Sequence, residues 1–139
     1  MNKETLNEKL REYIQAEEDS VLLRKTHDRS YIVAACSASE DNPSYYIGSN
    51  GPALESDYDY RLVSRMRECF EGKTVGEKSG LVDWPIGQCA EQHAANTVLK
   101  NTFDAVITDF QFSDAIKTRM PDLPFPYCAN CRTLFPQLK

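Results

Sequence analysis

The chain has 139 residues, 41% hydrophobic and 27% charged, with a net charge of −5, the size and balance expected of one soluble globular domain. No apolar run approaches the roughly 18 residues that cross a bilayer, and the charged, amphipathic start MNKETLNEKLREY lacks the apolar core of a secretory signal. The acidic balance argues against a protein that coats nucleic acid by bulk electrostatics; the basic groups Arg24, Lys25 and Arg61, Arg65, Arg67 read either as a local basic groove or as ordinary solvated helix faces.

In chain order, residues 3–18 carry Leu6, Leu10, Tyr13 and Ile14 at helical spacing among charges, which predicts a surface helix with one buried stripe. Arg29 to Ser39 is rich in small and β-branched residues and reads as a buried strand. Turn chemistry at residues 40–43 leads into a second strand, Ser44 to Ser49, so the pair forms a hairpin. After Asn50-Gly51-Pro52, a helix is expected from Asp57 to Glu71 with Leu62, Met66, Cys69 and Phe70 on one face. A glycine-containing loop over 71–88 precedes good helix-forming sequence that begins at Cys89, with Ala90, Ala94, Thr97 and Val98 on its apolar side. Phe103 to Phe112 reads as a third, central strand, and Ser113 as the cap of a short helix through Arg119. The segment FPYCANCRTLF then gives a Pro-bounded turn opening into a helix. The sum is an α/β or α+β domain, a small sheet covered by helices.

Five cysteines is an odd number, which suits a reducing compartment and metal ligation better than a disulfide framework. Cys36 in a strand and Cys69 on an apolar helix face read as small buried hydrophobes. Cys89-Ala90-Glu91 stands at one helix start and Pro126-Tyr127-Cys128-Ala129-Asn130-Cys131 at another. A CxxC pair at a turn-to-helix junction aims two sulfurs at one point about 2.3 Å from a zinc ion, and helix N-termini favour thiolates. Cys89 completes a three-ligand site, which leaves the fourth tetrahedral position open for water, the catalytic arrangement. Zinc brings the pKa of such a water to roughly 7. Glu91, in the first turn, is placed to move its proton without binding the metal. His93, four residues after Cys89, offers the rival reading of a closed, structural four-ligand site.

The order CxE then CxxC, each at a helix start, resembles the zinc-dependent cytidine deaminase superfamily in its all-cysteine form, over about residues 29–135. Its compact, all-cysteine character is nearest to the deaminase domains of bacterial polymorphic toxins. The resemblance implies a small mixed sheet with an N-terminal hairpin, helices over it, and Zn2+ at the N-termini of two helices. Two features depart from the family pattern: Tyr127 separates Pro126 from Cys128, and the chain stops eight residues beyond Cys131, so the C-terminal strands are expected to be missing. The N-terminal helix, or self-association, is then the expected cover for the sheet edge beyond the third strand.

By the same resemblance Gly48-Ser49-Asn50 falls where free-nucleoside deaminases hold the ribose, which makes Asn50 a candidate ligand, although Asn-Gly is also an ordinary turn. Trp84 and Tyr127 are candidates to stack on a base. The implied activity is conversion of cytosine to uracil, in single-stranded nucleic acid or as the free nucleoside or nucleotide. A non-catalytic zinc-stabilised interaction module is the rival of a different class. The expected setting is the cytoplasm, of the producing cell or of a target cell into which the chain is delivered, with no membrane partner. A toxin origin would add an immunity protein as partner.

Overall fold

The computed structural model describes residues 1–18, 31–118 and 120–138. Arg24, Lys25, His27, the first residues of the predicted strand at 29 and 30, and Arg119 lie outside them. The elements in chain order are α1 (Lys3–Glu18), β1 (Ile32–Ser37), β2 (Tyr46–Ser49), α2 (Tyr60–Cys69), α3 (Ala90–Asn101), β3 (Gln111–Phe112), β4 (Ala115–Lys117), β5 (Met120–Phe125) and α4 (Ala129–Leu134). Among the described residues no helix is long and apolar enough to cross a membrane.

β1 is the centre of the sheet, and Val33 to Cys36 are fully buried. Their alternation divides two cores. Val33 and Ala35 pack with Leu6, Leu10 and Ile14 of α1, whereas Cys36 faces the larger core built from α2, α3 and α4. α1 therefore covers a face of the sheet, not its edge. The larger face receives Leu62 and Met66 of α2, Ala94, Ala95 and Val98 of α3, and Leu134 of α4.

Strand order is β2-β1-β4-β5, with β3 also paired to β1, and every pairing is antiparallel. The hairpin of β1 and β2 matches the sequence reading, with Val33 opposite Ser49 and Cys36 opposite Tyr46. The expected mixed sheet is instead antiparallel throughout the described residues.

The predicted strand from Phe103 to Phe112 is not formed. Phe103 is 97% exposed, residues 107–109 make a 3-10 turn, and only Gln111 and Phe112 reach β1. Side-chain donors and local turns hold this stretch instead. Arg61 of α2 binds the carbonyls of Leu99 and Phe103 at 2.6 and 2.9 Å, and Gln137 Nε2 binds those of Ile107 and Phe110 at 3.0 Å each. The backbone between them turns on itself, with Asp109 N donating to Val106 O at 2.9 Å and Phe110 N to Ile107 O at 3.2 Å, so the segment is not extended.

The short helix expected after Ser113 is also replaced, by β4. β3 and β4 form one interrupted strand along β1. At the interruption Ser113 N donates to Ala35 O at 2.9 Å, and Ala35 N donates to Ser113 Oγ at 2.8 Å, so the side chain stands in for the missing carbonyl. β5 contains Pro121 and Pro124, which confine it to an edge, and it occupies the position beyond β4. The edge expected to be bare beyond a third strand is thus paired, by a strand that precedes the CxxC helix. No strand among the described residues follows α4.

Candidate metal centre

Cys89 is the N-cap of α3 and Cys128 the N-cap of α4, both with extended backbone, and Cys131 lies fully buried in the first turn of α4. The Cys128 sulfur caps its helix start, whereas the Cys89 side chain makes no cap hydrogen bond. Cys128 Sγ accepts from Cys131 N at 3.4 Å. The three Sγ atoms lie within 4.8 Å of one another, Cys89 and Cys128 at 3.2 Å.

Three thiols packed so closely shift one another's proton affinity. Hydrogen bonds from Cys131 and Cys89 hold the Cys128 thiol down at about 3. The counterparts are raised: Cys89 to about 12, mainly by its bond to Cys128, and Cys131 well above its ordinary value for the same reason.

The donor set fits a divalent, thiolate-seeking ion. Tetrahedral zinc with Zn–S near 2.3 Å places its sulfurs roughly 3.7 Å apart, within the 4.8 Å limit the cluster obeys. Asn130, between the two cysteines of α4, is fully buried and its Nδ2 has no hydrogen-bond partner, a polar donor left over in the same turn. Among the described residues the group holds three cysteines and no fourth ligand. His93 does not join it: its Nε2 is 2.8 Å from Gly51 O, and its ring packs beside Tyr58 at 5.8 Å.

Glu91 sits in the first turn of α3 and is 4% exposed. Burial pushes its carboxyl up to about 7, with the Cys128 charge adding to the effect. No Lys, Arg or His among the described residues lies at ion-pair distance from it. A carboxyl near neutrality beside three sulfurs is able to take up and release a proton at physiological pH.

Trp84 arrives from the 71–88 loop, 41% exposed, and its Nε1 donates to Cys89 Sγ at 3.4 Å. The loop is closed at its base by Gly76 N to Ile86 O at 3.0 Å and Ile86 N to Glu77 O at 2.9 Å. It is pinned to α4 by Ser79 Oγ donating to Asn130 Oδ1.

Tyr127 is half-buried next to Cys128. Its hydroxyl donates to Ser113 O at 2.8 Å, the carbonyl that the interruption between β3 and β4 turns out of the ladder, and Lys3 Nζ lies 5.6 Å from its ring centroid. Asn50 is exposed at the end of the hairpin, where its Oδ1 accepts from Ile32 N at 2.8 Å and extends the β1–β2 ladder by one step. The structure therefore brings Glu91 and Trp84 to the three cysteines, and engages Tyr127 with Ser113 and Lys3. It gives the Asn50 carbonyl a backbone partner in the sheet.

The sequence reading missed Gln92. This residue is fully buried; its Oε1 accepts from Gly87 N at 2.6 Å, and its Nε2 donates to Cys131 Sγ at 3.4 Å. The available signal was a polar stripe inside a buried helix face: Cys89, Gln92 and Asn96 at i, i+3 and i+7. The arginines of α2 also have definite partners. Arg61 binds Asp59 and the two carbonyls named above, Arg65 Nε donates to Leu134 O at 2.6 Å, and Arg67 pairs with Glu55. Two of the three thus hold the C-terminal ends of the helices that begin at the cysteines.

A scan against protein-family models and searches of curated proteins and of solved structures found no match to the chain.

Proposed function

We propose that the chain is a zinc-dependent hydrolytic deaminase that converts cytosine to uracil in single-stranded nucleic acid. The observation that carries the reading is a buried Glu91 beside a three-cysteine group that has no fourth protein ligand among the described residues. A purely structural site would close with four ligands, and His93, the residue best placed in sequence to do so, is bonded to Gly51 O.

Cys89, Cys128 and Cys131 would hold the ion. Zinc in such a site supplies a Lewis acid that makes hydroxide available near neutral pH. Glu91 Oε takes the proton of the attacking water and delivers it to the ring nitrogen. It then takes the second proton, from the hydroxyl newly added to the base, and passes it to the departing amine, so that water and the amino-base become the oxo-base and ammonia. Removing Glu91 from water raises its proton affinity toward that of the groups it must protonate. The half-exposed ring of Trp84 borders the cysteines and offers a face to an unstacked base. Asn50 Oδ1 accepts from Ile32 N in the sheet, and the likeness to toxin-type deaminases favours the polymer over the free nucleoside. A cytoplasmic, reducing setting keeps the thiolates competent, and an immunity protein is the partner expected if the chain belongs with the toxin-type deaminases it resembles.

The test is a deamination assay of zinc-loaded protein on single-stranded DNA, single-stranded RNA and free cytidine, with Glu91→Ala as control. Uracil formed in a polymer and abolished by the substitution is the expected result. Zinc-replete protein inert on all three substrates would leave only a zinc-stabilised interaction module.

A further inference from the structure

Taken sulfur by sulfur, the centre shows one regularity. Each ligand sulfur receives one N–H from a nitrogen donor: Cys128 from Cys131 N, Cys131 from Gln92 Nε2, and Cys89 from Trp84 Nε1, all at 3.4 Å. The first donor is backbone and is fixed by the helix. The other two are side chains that reach in from different segments, and both are donors by chemistry or by constraint. The indole nitrogen has no acceptor capacity. The Gln92 amide is oriented by Gly87 N, which donates to its Oε1 at 2.6 Å and so turns the NH2 end toward the sulfur.

We infer that Trp84 and Gln92 are positioning residues of the metal centre, whose N–H groups orient the Cys89 and Cys131 sulfurs and draw charge from them. The inference rests on the metal reading of the three cysteines and not on deamination. Three thiolates around a divalent ion leave a net charge of −1, held in a site whose sulfurs are half-buried or buried. Each N–H···S bond withdraws electron density from a sulfur, relieves repulsion among the three, and keeps the ion a stronger Lewis acid. The same two side chains tie residues 84–87 to the ligands. Trp84 reaches Cys89 directly, and Gly87, whose carbonyl accepts from Tyr58 Oη at 2.8 Å, is held through Gln92. This assigns Trp84 a role that its ring face alone does not require, and Trp84→Phe separates the two by keeping the aromatic face and removing the donor.

The experiment measures zinc affinity by competition with a chromogenic chelator, and the sulfur-to-metal charge-transfer band of the Co2+-substituted protein, for wild type, Trp84→Phe and Gln92→Glu. Gln92→Glu keeps the acceptor for Gly87 N and removes the donor to Cys131. The expected outcome is a zinc affinity lowered about 10–100-fold in each variant and a charge-transfer band moved to lower energy, because thiolates that lose a donor are easier to oxidise. Trp84 is half-exposed, so Trp84→Phe decides the question even if Gln92→Glu does not fold. Affinity and band both unchanged in Trp84→Phe would overturn the inference while leaving the metal centre standing. Wild-type protein that binds neither Zn2+ nor Co2+ would overturn the metal reading and this inference with it.

Discussion

Gly48 is where the sheet fixes the helix that carries Cys89 and Glu91. A Cβ there would meet Ala94 N at 2.4 Å, Ala90 O at 2.6 Å and His93 C at 2.9 Å, all backbone atoms of α3 that no rotamer change can move. Carbon atoms rest at about 3.5–4.0 Å, so Gly48→Ala forces α3 away from β2 by on the order of 1 Å. Overpacking of this kind costs about 1–3 kcal/mol. At about 3 °C per kcal/mol for a chain of this size, the melting midpoint falls by roughly 3–10 °C. The second consequence is local. Cys89 caps α3 while Cys128 and Cys131 belong to α4, so a shift of α3 alone pulls one sulfur from the other two. Gly48→Ala therefore weakens zinc binding as well as stability. Thermal melts with and without saturating zinc, together with a chelator competition, measure both. A midpoint within about 1 °C of wild type and an unchanged zinc affinity would show that α3 does not ride on Gly48.

Three further outcomes follow from the same contacts. Glu91→Gln keeps the side-chain volume and is expected to retain fold and zinc content while turnover drops about 10²–10⁴-fold; loss of metal in this variant, or a near wild-type rate, contradicts the assigned role. Deleting residues 1–18 strips Leu6, Leu10 and Ile14 from Val33, Ala35 and Ile116, and three aliphatic side chains at roughly 1.5–3 kcal/mol each are comparable to a domain's whole margin. The truncated chain should melt far lower or aggregate, and an equal midpoint at matched zinc loading would show the helix to be an appendage. Arg65→Met removes the donor to Leu134 O and is expected to cost about 1–3 kcal/mol, read as a lower denaturation midpoint. No change there would mean that the end of α4 is held by other contacts.

The local signals of this sequence were reliable wherever a segment's backbone pairs within itself or with its nearest neighbour in the chain. α1, the β1–β2 hairpin and α3 follow from periodicity and turn residues, and the two cysteine-bearing helix starts follow from their spacing. α2 is shorter than the expected 57–71 because Asp59 caps it, its carboxylate accepting from Arg61 N at 2.9 Å, and residues 55–57 wind into a 3-10 turn. The failures cluster between 103 and 125, where apolar residues were read as burial. In that stretch the backbone is satisfied by side chains distant in sequence, Arg61 and Gln137. β5 was hidden by prolines that an edge strand tolerates.

One device links what was legible to what was not. β1 needs partners on both sides along its whole length, and at two points a side chain supplies the oxygen that a neighbouring strand cannot: Asn50 Oδ1 for Ile32 N and Ser113 Oγ for Ala35 N. No pattern of apolar residues signals such a substitution, because the residue involved looks like turn chemistry in the sequence. Its effect reaches the site, since the ladder step taken by Ser113 Oγ leaves the Ser113 carbonyl free for Tyr127 Oη, next to Cys128. The ligand helices are constrained at their other ends by a second device of the same kind, Arg61 on Leu99 O of α3 and Arg65 on Leu134 O of α4. Arginines one helical turn apart on α2 thus set the far ends of both helices whose near ends carry the sulfurs. The cysteine spacing singles out the thiols, but it is α2, Gly48 and Ser113 that bring the sulfurs of Cys89 and Cys128, about 40 positions apart in the chain, to a separation of 3.2 Å.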